Sequence, residues 1–337
     1  MTQSAMNRQV ILAKAPAGIP QASDFALHQA PVPELKNGDV LIENHFLSVE
    51  TAMRGWLADK SNYSKPILVG EVMRSLASGK VVASRNSRYS VGDWVTGWFG
   101  WQETAEVREE DILRKVSESD LPLSLSLGIL GLNGLAAYLG LTVAGQPRAG
   151  ETVVVSTAAG AVGSAVGQIA KILGCRAIGI TGSQSKVELC LNDFDYDAAF
   201  DYSKDDLSIS LRQACPDGIH VYFDNTAGRI SDAVRVNLAV GARIVVCGTA
   251  SVANWDPPPQ GPRVERDLLT KRARMQGFLA FDHRDKSEAA IATLAAWIRE
   301  EKLTWREDVL DGLESCPDAI AGLYRGENMG KRIIRLR

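Results

Sequence analysis

From Val153 to Gly167 the chain reads Val-Val-Val-Ser-Thr-Ala-Ala-Gly-Ala-Val-Gly-Ser-Ala-Val-Gly, small residues placed where an apolar β-branched run gives way to a helix-forming one. Small side chains let a backbone approach a pyrophosphate, and the N–H groups that open a helix point at an anion for want of an intrahelical acceptor. Glycine spacing by itself is weak evidence, and Ala158 stands where the first glycine of such turns usually lies. The setting adds more, because the turn follows a strand, opens a helix and begins a series of βαβ units. Dinucleotide binding is therefore expected here, rather than a tight turn of purely structural use.

The end of the second strand of that series bears on which dinucleotide is held. An acidic residue there accepts hydrogen bonds from a ribose 2′-OH. Here the strand ends Ile180-Thr181-Gly182-Ser183-Gln184-Ser185-Lys186, with no carboxylate to repel a 2′-phosphate. Ser183 is able to donate a hydrogen bond and Lys186 brings a positive charge, which points to NADPH rather than NADH. A lysine on a helix surface is also common as a solvated charge, so the missing acid is the better argument.

These residues need a scaffold, and the flanking patterns describe it. Residues from about 8 to 115 read as short strands broken by glycine and proline turns (RQVILAK, DVLIENHFLSV, GKVVAS and VGDWVTGWFGWQETAEV), an irregular β-rich domain. From about 126 apolar runs alternate with helical segments, the mark of a parallel sheet. ETVVVSTA, RAIGITG, AAFDY, HVYFDN and GARIVVCG are its strands, and AVGSAVGQIAKILG is the first helix. Residues 287 to 301 have helical spacing with an apolar face through Ile291, Leu294, Ala295 and Ile298, and MGKRIIRLR is a closing strand. PPPQGP at 257 to 262 reads as a plain connector. The fold class is α/β, with boundaries expected at 1–125 for the first domain, completed by about 302–337, and 126–301 for the second.

Bulk properties agree with this picture. A chain of 337 residues suits two domains, and a cleft at a domain boundary is a usual place for a small molecule. A formal net charge of -3 gives no reason to expect nucleic acid or an anionic membrane as partner. There is no apolar stretch of about eighteen residues and no signal-peptide pattern, so a cytoplasmic protein is expected. The five cysteines are widely spaced, lack any C-x-x-C pair and read as free thiols, neither a disulfide framework nor a zinc site.

Taken with Met53-Arg54-Gly55, Gly70-Glu71-Val72-Met73, Gly100-Trp101-Gln102-Glu103, Gly134 to Tyr138, Tyr222-Phe223-Asp224-Asn225, Cys247-Gly248, Gly277-Phe278 and Asn328-Met329-Gly330-Lys331, the sequence resembles the zinc-independent medium-chain reductases. That family includes prostaglandin and leukotriene reductases, plant alkenal double-bond reductases and bacterial curcumin reductases. The resemblance implies a GroES-like β-rich domain with a doubly wound Rossmann domain that holds NADPH. It implies that Gly160, Ala161, Val162 and Gly163 meet the pyrophosphate, and that Ser183, Lys186 and Tyr202 surround the 2′-phosphate. Asn225, Cys247, Gly248, Phe278 and Asn328 would line the rest of the cofactor, and the family's frequent pairing of Rossmann sheet edges implies a homodimer.

No metal is expected. Zinc alcohol dehydrogenases of this architecture need a Cys/His set and a four-cysteine lobe, whereas residues 1 to 125 contain no cysteine. Hydride addition to a polarised alkene needs less: hydroxyl or backbone donors for the enolate oxygen, and a proton for the α-carbon from solvent or a nearby hydroxyl. The expected activity is thus NADPH-dependent reduction of the C=C bond of an enal or enone.

Departures from the family pattern fall among the residues that would meet substrate. Its C-G-x-I-S-x-Y-N run is here Cys247-Gly248-Thr249-Ala250-Ser251-Val252-Ala253-Asn254, so the tyrosine is replaced by Ala253. Its D-P-Y is Glu50-Thr51-Ala52, the aromatic expected after Glu103 is Thr104, and another is replaced by His283. Tyr63 is the expected remaining phenol donor, and His283 a candidate proton donor, though each also reads as a bystander. Trp56, Trp98 and Trp101 could line a pocket or belong to the core. Two alternatives follow from the lost tyrosine: an NADPH quinone reductase of the zinc-free branch, or an NADPH-binding module without catalysis.

Overall fold

The structure is a computed structural model that describes residues 6–58, 63–252, 257 and 259–337. The chain divides into two compact units, Met1–Leu127 with Glu307–Arg337, and Gly128–Arg306.

The first unit begins with an antiparallel pair, β1 (Met6–Leu12) and β2 (Phe25–Pro31). There follow β3 (Val40–Ser48), the short α1 (Met53–Trp56), β4 (Leu76–Ser84), β5 (Trp94–Trp98), β6 (Thr104–Val107) and β7 (Ile112–Lys115). Antiparallel strands with one packed face alternate buried and wetter positions, as β3 does at Val40, Ile42 and Asn44. Trp101 and Trp56 are buried in this core, Trp56 meeting Trp98 edge to face with ring centroids 5.5 Å apart. The Trp101 indole N–H donates to the Ser48 carbonyl at 3.1 Å. Core packing, not pocket lining, is the observed use of Trp56 and Trp101.

The second unit carries α2 (Leu132–Leu139), β8 (Thr152–Ser156), α3 (Gly163–Ile172), β9 (Arg176–Thr181), α4 (Gln184–Asn192) and β10 (Ala198–Asp201). It continues with α5 (Leu207–Ala214), β11 (Ile219–Asp224), α6 (Gly228–Arg235), β12 (Leu238–Val246), α7 (Glu265–Lys271), β13 (Arg274–Gly277) and α8 (Ser287–Arg299). The strands form one parallel sheet in the order β10-β9-β8-β11-β12-β13. All five residues of β8 are buried, as a central strand covered on both faces requires, and its Val-Val-Val run suits that position. The order reverses between β8 and β11, and in such sheets the crevice outside the carboxyl ends of the strands at the reversal is where ligands bind. The expected apolar face of α8, Ile291, Leu294, Ala295 and Ile298, is buried.

The chain then returns to the first unit through β14 (Glu307–Asp311), α9 (Cys316–Tyr324) and β15 (Lys331–Arg335). Residues before Glu307 stay with the second unit for a visible reason. Thr304 N donates to the Gln168 side chain at 2.8 Å, and its hydroxyl donates to Asp193 O at 3.1 Å. β15 pairs antiparallel with β3, giving a sheet of order β14-β15-β3-β4-β5-β7 with β6 also on β3. At this seam the Lys331 ammonium is buried and donates to Ser48 Oγ (2.7 Å), Val49 O (2.9 Å) and Glu50 Oε1 (2.6 Å). Burial lowers the Lys331 pKa, and the Glu50 carboxylate opposes that shift. Glu50 therefore serves the C-terminal strand's attachment.

Among the described residues no helix is long and apolar enough to cross a membrane.

Candidate dinucleotide-binding site

After β8 the chain turns at Thr157 with φ +55°, and Ala158 N donates to Ile180 O at 3.0 Å, which ties the turn to β9. Gly160 N bonds Thr157 O at 2.9 Å and Ser164 N bonds Gly160 O at 2.9 Å. A Cβ on Gly163 would fall on the Thr157 carbonyl, and one on Gly167 would fall within the Tyr196 ring. Tyr196, fully buried, donates its hydroxyl hydrogen to Gly163 O at 2.6 Å; burial holds its pKa well above the ordinary value. Glycine at 163 and 167 thus lets α3 settle on strand, turn and Tyr196 together. Among the described residues the N–H groups of Ala161 and Val162 meet no acceptor in the chain, so this turn offers an anion the donors a pyrophosphate takes.

Ser183 caps α4: its Oγ accepts from Lys186 N at 3.4 Å and lies 3.1 Å from Ser185 Oγ. Tyr202 follows β10, its N–H on Thr181 O at 3.0 Å, and its exposed ring lies across Gly182 so closely that a Cβ there would be 2.9 Å from the phenolic oxygen. Ser183, Lys186 and Tyr202 are thereby gathered at one corner, the end of β9. Sequence reasoning missed Asp201, which ends the neighbouring β10. Its Oδ1 accepts from Ser203 N (3.0 Å) and Ser203 Oγ (2.7 Å), while Oδ2 is buried without a partner.

On the other side of β8, Asn225 and the Cys247–Gly248 pair stand at the ends of β11 and β12. A Cβ on Gly248 would be 2.7 Å from Asn225 O, so the two strand ends touch through backbone. Asn225 donates from its amide to Ser156 O at 2.7 Å and from its backbone to Ser156 Oγ at 2.8 Å. Burial, with the Asp224 carboxylate nearby, pushes the Cys247 thiol up to about 12. Asp224 itself, also missed from sequence, is the hub of this edge. Its Oδ1 accepts from Tyr222 Oη (3.0 Å), Thr226 N (2.9 Å) and Ala227 N (2.8 Å), and its Oδ2 accepts from Ser231 Oγ. Ala227 lies at φ +59°, ψ −161°, a region essentially reserved for glycine that costs another residue about 1–3 kcal/mol.

Phe278 follows β13, buried, with its N–H on Val246 O at 3.0 Å. His283 stacks on it, ring centroids 5.2 Å apart and planes at 10°, so its imidazole is placed by packing. Tyr63 and Asn328 belong to the first unit. Tyr63 is 57% exposed and within electrostatic reach of Tyr324, whose hydroxyl lies 3.2 Å from Thr51 O and whose ring is faced by the Arg54 guanidinium. The Asn328 amide donates to Gly330 O at 2.8 Å, shaping the turn into β15. Ala253 and Asn254 lie outside the described residues.

Comparison with known proteins places this geometry. Residues 8–116 match the family described as the N-terminal domain of oxidoreductase, and residues 161–296 the one described as zinc-binding dehydrogenase. The NADPH-dependent curcumin reductase of Escherichia coli is 38% identical over 99% of this chain and 98% of its own length. The NADP(+)-dependent 2-alkenal reductase of Nicotiana tabacum is 38% identical over the same shares, 99% and 98%. The chain belongs to the zinc-independent medium-chain dehydrogenase/reductase family. This oxidoreductase also superposes on the crystal structure of CurA in complex with NADPH from Vibrio vulnificus, with a TM-score of 0.92 and 38% identity over 98% of this chain and 99% of that one. Although one matching family model is named for zinc, the described residues of this oxidoreductase contain no group of three or more His, Cys, Asp or Glu placed to hold a metal ion.

Proposed function

We propose that this protein is an NADPH-dependent reductase of the C=C bond of α,β-unsaturated aldehydes or ketones. The observation that carries the reading is the corner of Ser183, Lys186 and Tyr202 beside the small-residue turn, inside a chain similar along its length to reductases named for curcumin and 2-alkenals. Bound NADPH supplies the hydride.

The chain's own residues do the rest. The turn from Gly160 to Gly163 receives the pyrophosphate on its unbonded N–H groups. The Lys186 ammonium and the Ser183 and Tyr202 hydroxyls meet the 2′-phosphate. Asn225, Cys247, Gly248, Phe278 and Asn328 meet the remainder of the cofactor. The Tyr63 hydroxyl donates to the substrate carbonyl oxygen, where negative charge develops as the β-carbon is reduced. The enolate left by hydride addition takes up a proton at its α-carbon, from solvent or from His283, whose imidazole is held flat on Phe278.

Two further parts of the proposal concern partners and place. β13 ends the parallel sheet with all four residues exposed, which favours a homodimer joined along that edge. The compartment is the cytoplasm.

Ala253, standing where relatives of the family carry a substrate tyrosine, keeps an NADPH quinone reductase as the second reading and a module without catalysis as the third. A panel of 2-nonenal, an aryl enone and 1,4-benzoquinone, read as NADPH consumption, separates them. Turnover with the enal or enone supports the proposal. Turnover with quinone alone replaces it by the second reading, and NADPH binding without turnover replaces it by the third. Tyr63→Phe and His283→Ala are run beside the wild type; an unchanged kcat in either variant removes that residue's role.

A further inference from the structure

The polar groups around Ala227 do more than satisfy one another. Its N–H is held by Asp224 Oδ1 at 2.8 Å, and its carbonyl oxygen lies 3.0 Å from Ser251 Oγ. The peptide before it is held in the same way: Thr226 N donates to Asp224 Oδ1 at 2.9 Å, and Thr226 O accepts from Ser251 N (3.0 Å) and lies 2.7 Å from Ser251 Oγ. Both sides of an alanine in a glycine-only conformation are thus gripped, one by a buried carboxylate and the other by a serine 24 residues further on. Backbone strain persists only where the surroundings over-determine it, and it collects at ligand sites.

The location says which ligand part is concerned. With the 2′-phosphate corner at the end of β9 and the pyrophosphate turn after β8, the sheet order leaves the ends of β11 and β12 for the other half of a dinucleotide. There the Asp224 carbonyl accepts from Cys247 N (2.8 Å) and Gly248 N (3.0 Å), and Ala250 N reaches Asn225 O at 3.4 Å. One short network through Asp224 therefore links the strained Ala227 to the Cys247 and Gly248 N–H groups and to the chain at Asn225.

We propose that the Asp224 carboxylate and the Ser251 hydroxyl are a positioning clasp: by gripping Thr226–Ala227 from both sides they fix Asn225 and the Cys247–Gly248 edge for the nicotinamide half of NADPH. The proposal rests on the cofactor reading above and is independent of which alkene or quinone is reduced. Ser251 is the informative position, because its side chain is exposed and its backbone bond to Thr226 survives substitution.

The experiment compares wild type, Ser251→Ala and Ser251→Thr by titration with NADPH and with 2′,5′-ADP, which carries the adenosine and 2′-phosphate but no nicotinamide. Loss of one neutral hydrogen bond predicts NADPH affinity weaker by roughly fivefold in Ser251→Ala, with 2′,5′-ADP unchanged and Ser251→Thr close to wild type. Equal weakening of both ligands, or no change in either, overturns the clasp. Amide hydrogen exchange of the ligand-free chain at 226–228 gives a readout free of the cofactor. Ser251→Ala is expected to exchange faster there, and an unchanged rate overturns the proposal. Failure of 2′,5′-ADP to bind the wild type sinks the cofactor placement instead, and exchange then decides the clasp alone.

Discussion

Lys186 sits in the first turn of α4 with its N–H on the capping Ser183 hydroxyl, and Tyr202 closes the same corner by lying over Gly182. A charge-assisted bond to a phosphate contributes about 1.5–3 kcal/mol, so Lys186→Ala is expected to lower the preference for NADPH over NADH by roughly 10- to 100-fold. The ratio of kcat/KM for the two cofactors reads this, and an unchanged ratio removes Lys186 from the phosphate site. What the sequence shows of this corner is an absence, no acid directly after Thr181, and the structure adds the proximity of Tyr202 to Gly182. Asp224 and Ser251 were not legible. Their work is done by contacts such as Ser251 to Thr226, 25 residues apart, and no spacing rule connects a serine after one strand to a peptide after another.

At the scale of elements, strands and helices were readable where burial leaves a pattern, and obscure where pairing alone defines them. β8, with Val153 to Val155 fully buried, and α8, with its apolar face, stand out in the sequence. β13, Arg-Met-Gln-Gly with every position exposed, does not, because an edge strand of four residues shows no period. The seat of α3 was legible as a glycine pattern, though its partner Tyr196 was not. Gly167→Ala gains about 1 kcal/mol of helix propensity but drives a methyl into the Tyr196 ring, and overpacking costs about 1–3 kcal/mol. A net loss in chemical denaturation, with weaker NADPH binding, is expected; a more stable variant would show that Tyr196 yields. In the first unit Glu307 is largely buried, its Oε2 accepting from Ser124 Oγ at 2.9 Å and its Oε1 without a partner. Burial raises its pKa, so its contribution to stability is present below the unfolded value and lost as pH rises through the folded one. Glu307→Gln is therefore expected to raise the melting temperature by about 1–3 °C near pH 8 and to match the wild type near pH 4. The same gain at both pH values would mean that ionisation is not the cause.

At the scale of the molecule, an enzyme proposed to handle electrophilic alkenes has its own thiols to protect. Cys175, Cys190, Cys215 and Cys316 are buried and Cys247 is half-buried. Burial raises all five pKa values, Cys215 to about 11 and Cys190 and Cys247 to about 12. Thiolate is the reacting form, so the native protein is expected to stay unmodified by 2-nonenal while the unfolded chain is alkylated. Intact mass before and after denaturation measures this, and adducts on the native protein would contradict it. The two-unit layout followed from the change of texture near residue 126 and from the closing strand. The exact return at Glu307 did not, because it depends on Thr304 being held by Gln168 and Asp193.

In the proposed reaction the hydride reaches the β-carbon of an enal and leaves the carbonyl intact. Incubation of 2-nonenal with NADPH deuterated at the transferred position, followed by NMR of the product, tests it most directly. The expected product is nonanal bearing deuterium on the β-carbon; an allylic alcohol with deuterium on the carbonyl carbon would overturn the proposed reaction.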